Sequence, residues 1–166
     1  VSSGAQAAGR HELGRRGSPS HTPSRQAFAS IGQHRLMATW GMLFEAYDVV
    51  VAQVLLTRRE FSDRLAYLNA RTTLLDLIDA GAVPIVNEND AVAMDQVLAS
   101  RIGENDSLSA YVANLIDAGL LVILTDVEGL YDADPRTNPE ARLLRRVERI
   151  DAAIEGGASG AHGPGS

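Results

Sequence analysis

Cysteine is absent from the 166 residues, which removes disulfides, thiolate metal sites and cysteine nucleophiles. Lysine is absent too: all 15 basic residues are arginine. A basic balance is missing, since the net charge is -6. A protein that held nucleic-acid phosphates would need the opposite sign, so no nucleic-acid partner is expected. No apolar run approaches the ~20 residues that cross a bilayer. The longest clean one is Leu120–Leu124, and no membrane role is expected. The four histidines, His11, His21, His34 and His162, lack metal-ligand spacing. They read as surface residues, and no metal ligand is assigned. GxGxxG, P-loop and serine-elbow patterns are also missing.

What is present is the mix of a globular chain, 45% hydrophobic and 22% charged. The length suits one domain. Residues 1–36 hold five arginines and one acid, Glu12, a transit-peptide flavour. An arginine-rich surface segment is the preferred reading, with a cytoplasmic location as the expectation. Val1–Ala5 looks like a strand end passing into a helix that runs to about Leu13, and Leu13–Pro23 is a loop by composition. Ala27, Ile31, Leu36, Trp40, Leu43 and Phe44 recur at helical spacing after a plausible N-cap at Ser24. Trp40, Phe44, Met37 and Met42 are expected to serve the core.

Val49–Leu56, Val83–Val86 and Leu120–Leu124 read as buried strands, with Leu143–Ile150 as an edge strand. Helices are expected over Leu68–Ala80, ended by Gly81, and from Asp106 through Ile116. Residues 91–103 fit a flap or a short hairpin. Strands alternating with helices give the α/β class, a mainly parallel sheet covered on both faces. The domain is placed at 1–155, and 156–166 reads as a flexible Gly/Ser-rich tail.

In such sheets ligands collect at the carboxyl ends of the strands. Three strand exits carry polar clusters: Ser2-Ser3-Gly4, Asn87 to Asp90, and Thr125-Asp126. All three should open onto one edge. The first could offer amides to an anion or be an ordinary cap. Four polar residues after an apolar strand are costly to bury without a partner, yet an Asx turn would also explain them. Asp106 fits a helix cap equally well. Thr125-Asp126 could bond a nucleotide or cap a turn.

In order, the segments VSSGAQAAGRHELG, QAFASIGQHRLM, VAQVLLTR, SDRLAYLNARTTLLDL, VPIVNENDAVA, GENDSLSAYVANL and LLVILTDVEGLYDADPRTNPEARL cover nearly the whole chain. Together they resemble the glutamate 5-kinase branch of the amino acid kinase family. The resemblance implies an αβα sandwich around a mainly parallel sheet, here incomplete. It implies transfer of the ATP γ-phosphoryl group to the side-chain carboxylate of L-glutamate, giving γ-glutamyl phosphate for proline biosynthesis. By motif match, Ser3, Asp90 and Asn105 would contact glutamate and Asp106 would be catalytic, organising the cations. Thr125 and Asp126 would touch the nucleotide, with Mg²⁺ on the ATP phosphates. A homo-oligomer is implied for the full-length parent.

Two departures stand beside the match. Family lysines supply the positive charge around the transferred phosphoryl group. By position they would fall before Val1 and after Ser166, and this chain has none. Gln6 stands where an apolar residue is expected. The primary expectation is therefore a kinase truncated at both ends and inactive alone. The alternatives are a non-catalytic amino-acid-binding or regulatory homologue, and a kinase of the same fold with another acceptor. NENDAVA argues against the last.

Overall fold

The computed structural model describes residues 1–15, 24–92, 105–125, 128–152 and 154. Its elements are α1 (Ala5–Arg15), α2 (Arg25–Glu45), β1 (Val51–Leu56), α3 (Arg59–Ser62), α4 (Arg64–Asp79), β2 (Val83–Glu88) and α5 (Asn105–Leu115). The chain divides into two compact units, Val1–Leu121 and Val122–Ser166. The expected flap over 91–103, most of the Leu13–Pro23 loop, Asp126 and the tail from 156 lie largely or wholly outside the described residues.

In the first unit β1 and β2 pair in parallel, with Val51 opposite Val83 and Leu56 opposite Glu88. A parallel pair needs a long crossover, and α3 and α4 provide it. Short-range chemistry sets the limits of these helices. Ser24 holds an extended backbone and its side chain accepts the Ala27 N–H at 3.2 Å, capping α2. Asp63 does the same for Ala66 at 2.8 Å and starts α4. Gly81, at φ +78°, lets the chain leave α4 while its N–H and that of Ala82 satisfy the Ile78 and Leu77 carbonyls.

The two faces of the sheet are chemically different. Paired residues in register share a face, so Val54, Leu56 and Val86 point one way. There they join Leu74 of α4 and Leu108, Val112 and Leu115 of α5 in the apolar core. Ile85, Asn87, Gln53 and Leu55 point the other way, and Asn87 bonds Gln33 of α2 at 2.9 Å. The sheet therefore lies between α4/α5 and α2, the layering expected from the sequence. Arg71 of α4 also donates to the Leu115 carbonyl at the end of α5.

α1 and α2 cross backbone to backbone. A Cβ on Gly9 would overlap the Phe28 carbonyl, and one on Gly32 would overlap the Ala5 carbonyl. Only hydrogen fits at either point, so α1 lies flush on α2. Ser2 then reaches β2: its N–H donates to Val86 O at 2.8 Å. The odd residues of β2 bond toward β1, through Val83 N to Val50 O and Asn89 N to Leu56 O. Val86 faces the opposite edge, so the Ser2 bond falls on the far side of β2 from β1. Residues 1–4 are not a strand, and this one bond is all that stands for the strand end expected at Val1–Ala5.

Three expectations are corrected. Leu120–Leu124 forms no strand, and Leu124 is 93% exposed. An apolar run becomes a buried strand only where a ladder partner meets it, and none does among the described residues. The stretch Leu143–Ile150 contributes a single antiparallel bridge, Leu143 to Tyr131, and no strand. Met42 is 68% exposed and Leu43 is exposed as well, so this part of the α2 stripe does not serve the core. The second unit, taken by itself, is a bridged loop. Its Asp134–Asn138 turn is closed by Arg136, whose side chain and N–H hold the Asp134 carboxyl below its ordinary range.

Replacing Gly32 with alanine should destabilise the chain by about 1–3 kcal/mol through overpacking at the crossing. Gly41→Ala, later in α2 with nothing near its Cβ position, should instead stabilise by up to ~1 kcal/mol through helix propensity. Urea unfolding of both variants measures the contrast.

Candidate functional site

The carboxyl end of β2 carries the polar groups of the first unit. Val86 is buried, then Asn87 is buried at 4% exposure, and Glu88, Asn89 and Asp90 are half-buried. Asn89 N–H donates to Leu56 O, the last carbonyl of β1, and ends the ladder. Two tethers bring the start of α1 to this place. Ser2 bonds Val86, and the Gln6 side chain bonds the Asp90 carboxylate. Ser3 lies between the two tethers in the chain and is exposed. Gly4 follows at φ +92°, a conformation glycine adopts without strain, and turns the chain into α1. Ser3 and Asp90 thus occupy one edge of the sheet.

Ser2 is the buried anchor beneath Ser3. Its hydroxyl accepts the Trp40 indole N–H at 2.9 Å. Trp40 therefore fixes the serine turn in addition to packing on Phe44, 5.9 Å between ring centroids.

Asn105 and Asp106 open α5. Two contacts give the direction of this helix. Tyr111 stacks on Phe61, 5.0 Å away, in the segment that leaves β1. Leu115 meets Arg71, half-way along α4. The N-terminus of α5 accordingly points toward the carboxyl ends of the strands. Asn105 is half-buried and Asp106 is exposed. Thr125 is exposed and belongs to the second unit, so it is described apart from these residues; Asp126 lies outside the described residues.

A cavity of about 330 Å³ opens between α2 and the sheet, walled by Gln33, Met37, Gln53, Glu88, Asn89 and Asp90 among others. Its electrostatics are set by two acids. Burial raises the Asp90 pKa, and the Gln6 bond offsets part of that rise. Burial raises Glu88 too, Asp90 adds repulsion, and Arg58 opposes both. Each carboxylate holds its proton more tightly than it would in water, so a cationic group placed here would be favoured by both. Among the described residues no cluster of three or more His, Asp or Glu side chains has metal-binding geometry.

The sequence singled out Ser3 and Asp90, and both are at this edge. It singled out Glu88 only as one of the Asn87 to Asp90 cluster, and it missed Gln6 and Gln33 as partners. Gln6 was legible only as a polar residue in an apolar place. Gln33 follows Ala29 by one helical turn on the buried face of α2, but its partner is 54 positions away.

The profile of the amino acid kinase family matches residues 1–164. The chain belongs to the amino acid kinase family. Its curated relatives in that family include the "Glutamate 5-kinase" of Herpetosiphon aurantiacus, 54% identical over 98% of this chain and 44% of the relative. That of Dehalococcoides mccartyi (strain ATCC BAA-2266 / KCTC 15142 / 195) is 51% identical over 96% of the chain and 43% of the relative. That of Geobacter sulfurreducens is 52% identical over 96% and 42%. The chain spans less than half the length of these relatives. The layered sheet described above is consistent with the family fold.

The raised carboxyls give a pH prediction. An acid whose folded-state pKa exceeds its unfolded value binds its proton better in the fold. Glu88 and Asp90 should therefore weaken the ligand-free fold at neutral pH and add stability as pH falls from their raised values to the ordinary carboxylate range. Asp90→Asn should melt higher than the parent at pH 7, and the gap should close on acidification. Thermal melts from pH 7 to pH 4 check this.

Proposed function

We propose that this chain carries the acceptor-binding part of a glutamate 5-kinase. In that reaction a side-chain carboxylate oxygen of L-glutamate attacks the γ-phosphorus of ATP, γ-glutamyl phosphate forms, and ADP leaves. The observation that carries the reading is the pair of half-buried carboxylates beside the Ser3 turn. An amino acid brings an ammonium that suits the carboxylates and a carboxylate that suits the turn. The names of the relatives support the same acceptor.

In this reading Asp90 receives the α-ammonium as a charge-assisted hydrogen bond, held in place by Gln6. Ser3 and the first amides of α1 take a carboxylate, helped by the positive end of the helix. Asn105 orients the substrate from α5. Asp106, exposed in the first turn of that helix, organises the cations that accompany the phosphates. Thr125 and Asp126 meet the nucleotide. Mg²⁺ arrives with ATP, as the oxygen-rich chemistry of that ion favours. The parent enzyme is assigned to the cytoplasm, as a homo-oligomer serving proline biosynthesis.

One observation favours a second reading, in which the chain binds the amino acid without phosphorylating it. Phosphoryl transfer depends on positive charge around the transferred group. The chain has no lysine, and arginine's planar fork differs from a compact ammonium. Both readings share the acceptor site and differ in turnover.

Calorimetry should detect L-glutamate binding to the 166-residue chain, and Asp90→Asn should weaken it at least ~10-fold by removing the charged partner. Absence of binding by a folded chain would remove the proposal. With ATP, Mg²⁺ and hydroxylamine, hydroxamate should stay at the blank level; sustained hydroxamate formation would eliminate the binding-only reading.

A further inference from the structure

Trp40 is the one tryptophan of the chain, and it is half-buried on α2. Its indole N–H can donate and cannot accept. It donates to the Ser2 hydroxyl at 2.9 Å, across 38 positions of sequence. Packing alone would not call for that bond, because a phenylalanine ring could meet Phe44 as well. Ser2 is 6% exposed, and its backbone N–H donates to Val86 O at 2.8 Å. Residue 2 is therefore pinned to two elements at once, to β2 through its backbone and to α2 through its side chain. Ala5, the first residue of α1, is buried too. The Gly4 carbonyl accepts the Ala8 N–H at 2.9 Å and opens that helix. Ser3 and Gly4 are exposed between the two buried residues. A turn held at both ends shows a ligand one arrangement and loses little freedom when the ligand binds.

We propose that Trp40 is a positioning residue for the acceptor: its indole N–H holds Ser2, and through Ser2 it keeps Ser3 and the first amides of α1 set for a carboxylate of the amino acid. The inference rests on the acceptor site proposed above and adds to it a residue that acts through another. The Ser2 hydroxyl is the relay. Coupling of this kind is reciprocal. If the Trp40–Ser2 bond favours ligand binding, the bound ligand favours the bond by the same factor.

A single tryptophan gives a single indole N–H signal, so the ¹⁵N-labelled 166-residue chain reports on this bond directly. Titration with L-glutamate should slow the exchange of that proton with water. Calorimetry then measures affinity in variants. Trp40→Phe keeps a ring beside Phe44 without the donor, and Ser2→Ala removes the acceptor. Each should weaken L-glutamate about 3- to 10-fold, the size of one neutral hydrogen bond. The double variant should weaken it no further than either single one, since both remove the same bond. Folded variants that bind as the parent does, or losses that simply add, leave Trp40 a structural role alone and overturn the inference while the acceptor site stands. The same holds if L-glutamate binds the wild type and the indole proton exchanges unchanged. If the wild type binds nothing, both fall. The wild-type measurement decides the matter even where a variant does not fold.

Discussion

β2 is paired with β1 along one edge and takes a single further bond, from Ser2, on the other. A strand held in this way cannot slide or turn over, because a one-residue slip would send Val86 out of the core and Asn87 into it. Its polar extension, Asn87 to Asp90, is consequently delivered to a fixed place at the end of the sheet. The same two contacts bring in the start of α1 and the last carbonyl of β1. Every candidate side chain of the first unit on β2 or the α1 turn takes its position from this doubly held strand.

The second requirement is closeness. Ser2 reaches β2 because α1 rests directly on α2, and that contact exists only where Gly9 and Gly32 leave room. α2 in turn supplies Trp40 to the Ser2 hydroxyl and Gln33 to Asn87. One face of the sheet is therefore apolar and continuous with α4 and α5, whereas the other ends in a network of amides and hydroxyls. The charge on Glu88 and Asp90 is not neutralised by that network. The fold holds an unfavourable pair of partly buried acids, a pattern that fits a ligand carrying positive charge.

Much of the fold was legible along the chain. The cap at Ser24, the glycine stop at Gly81 and the apolar stretches of β1 and β2 are local signals, each read from a few neighbouring residues, whereas the Asp63 cap, five residues before the expected helix start at Leu68, was not read. The motif-bearing residues Ser3 and Asp90 were legible for a similar reason, since polar residues at strand exits stand out against the apolar strand behind them. Leu120–Leu124 failed as a strand although its composition is as apolar as β1. Composition reports that a segment would gain from burial; it does not report whether an edge is there to pair with.

The sequence by itself determined the local elements, the α/β alternation and the identity of the polar exits, because those follow from propensity, periodicity and nearest neighbours. Only the tertiary structure decided that Gln6 restrains Asp90, that Trp40 secures Ser2 and that Gln33 is left with a free donor above Asn87. Those facts depend on side chains 38, 54 and 84 positions apart arriving within hydrogen-bonding distance. Burial, which alone makes an unmet donor or a lone carboxylate costly, exists only after the chain has closed around them.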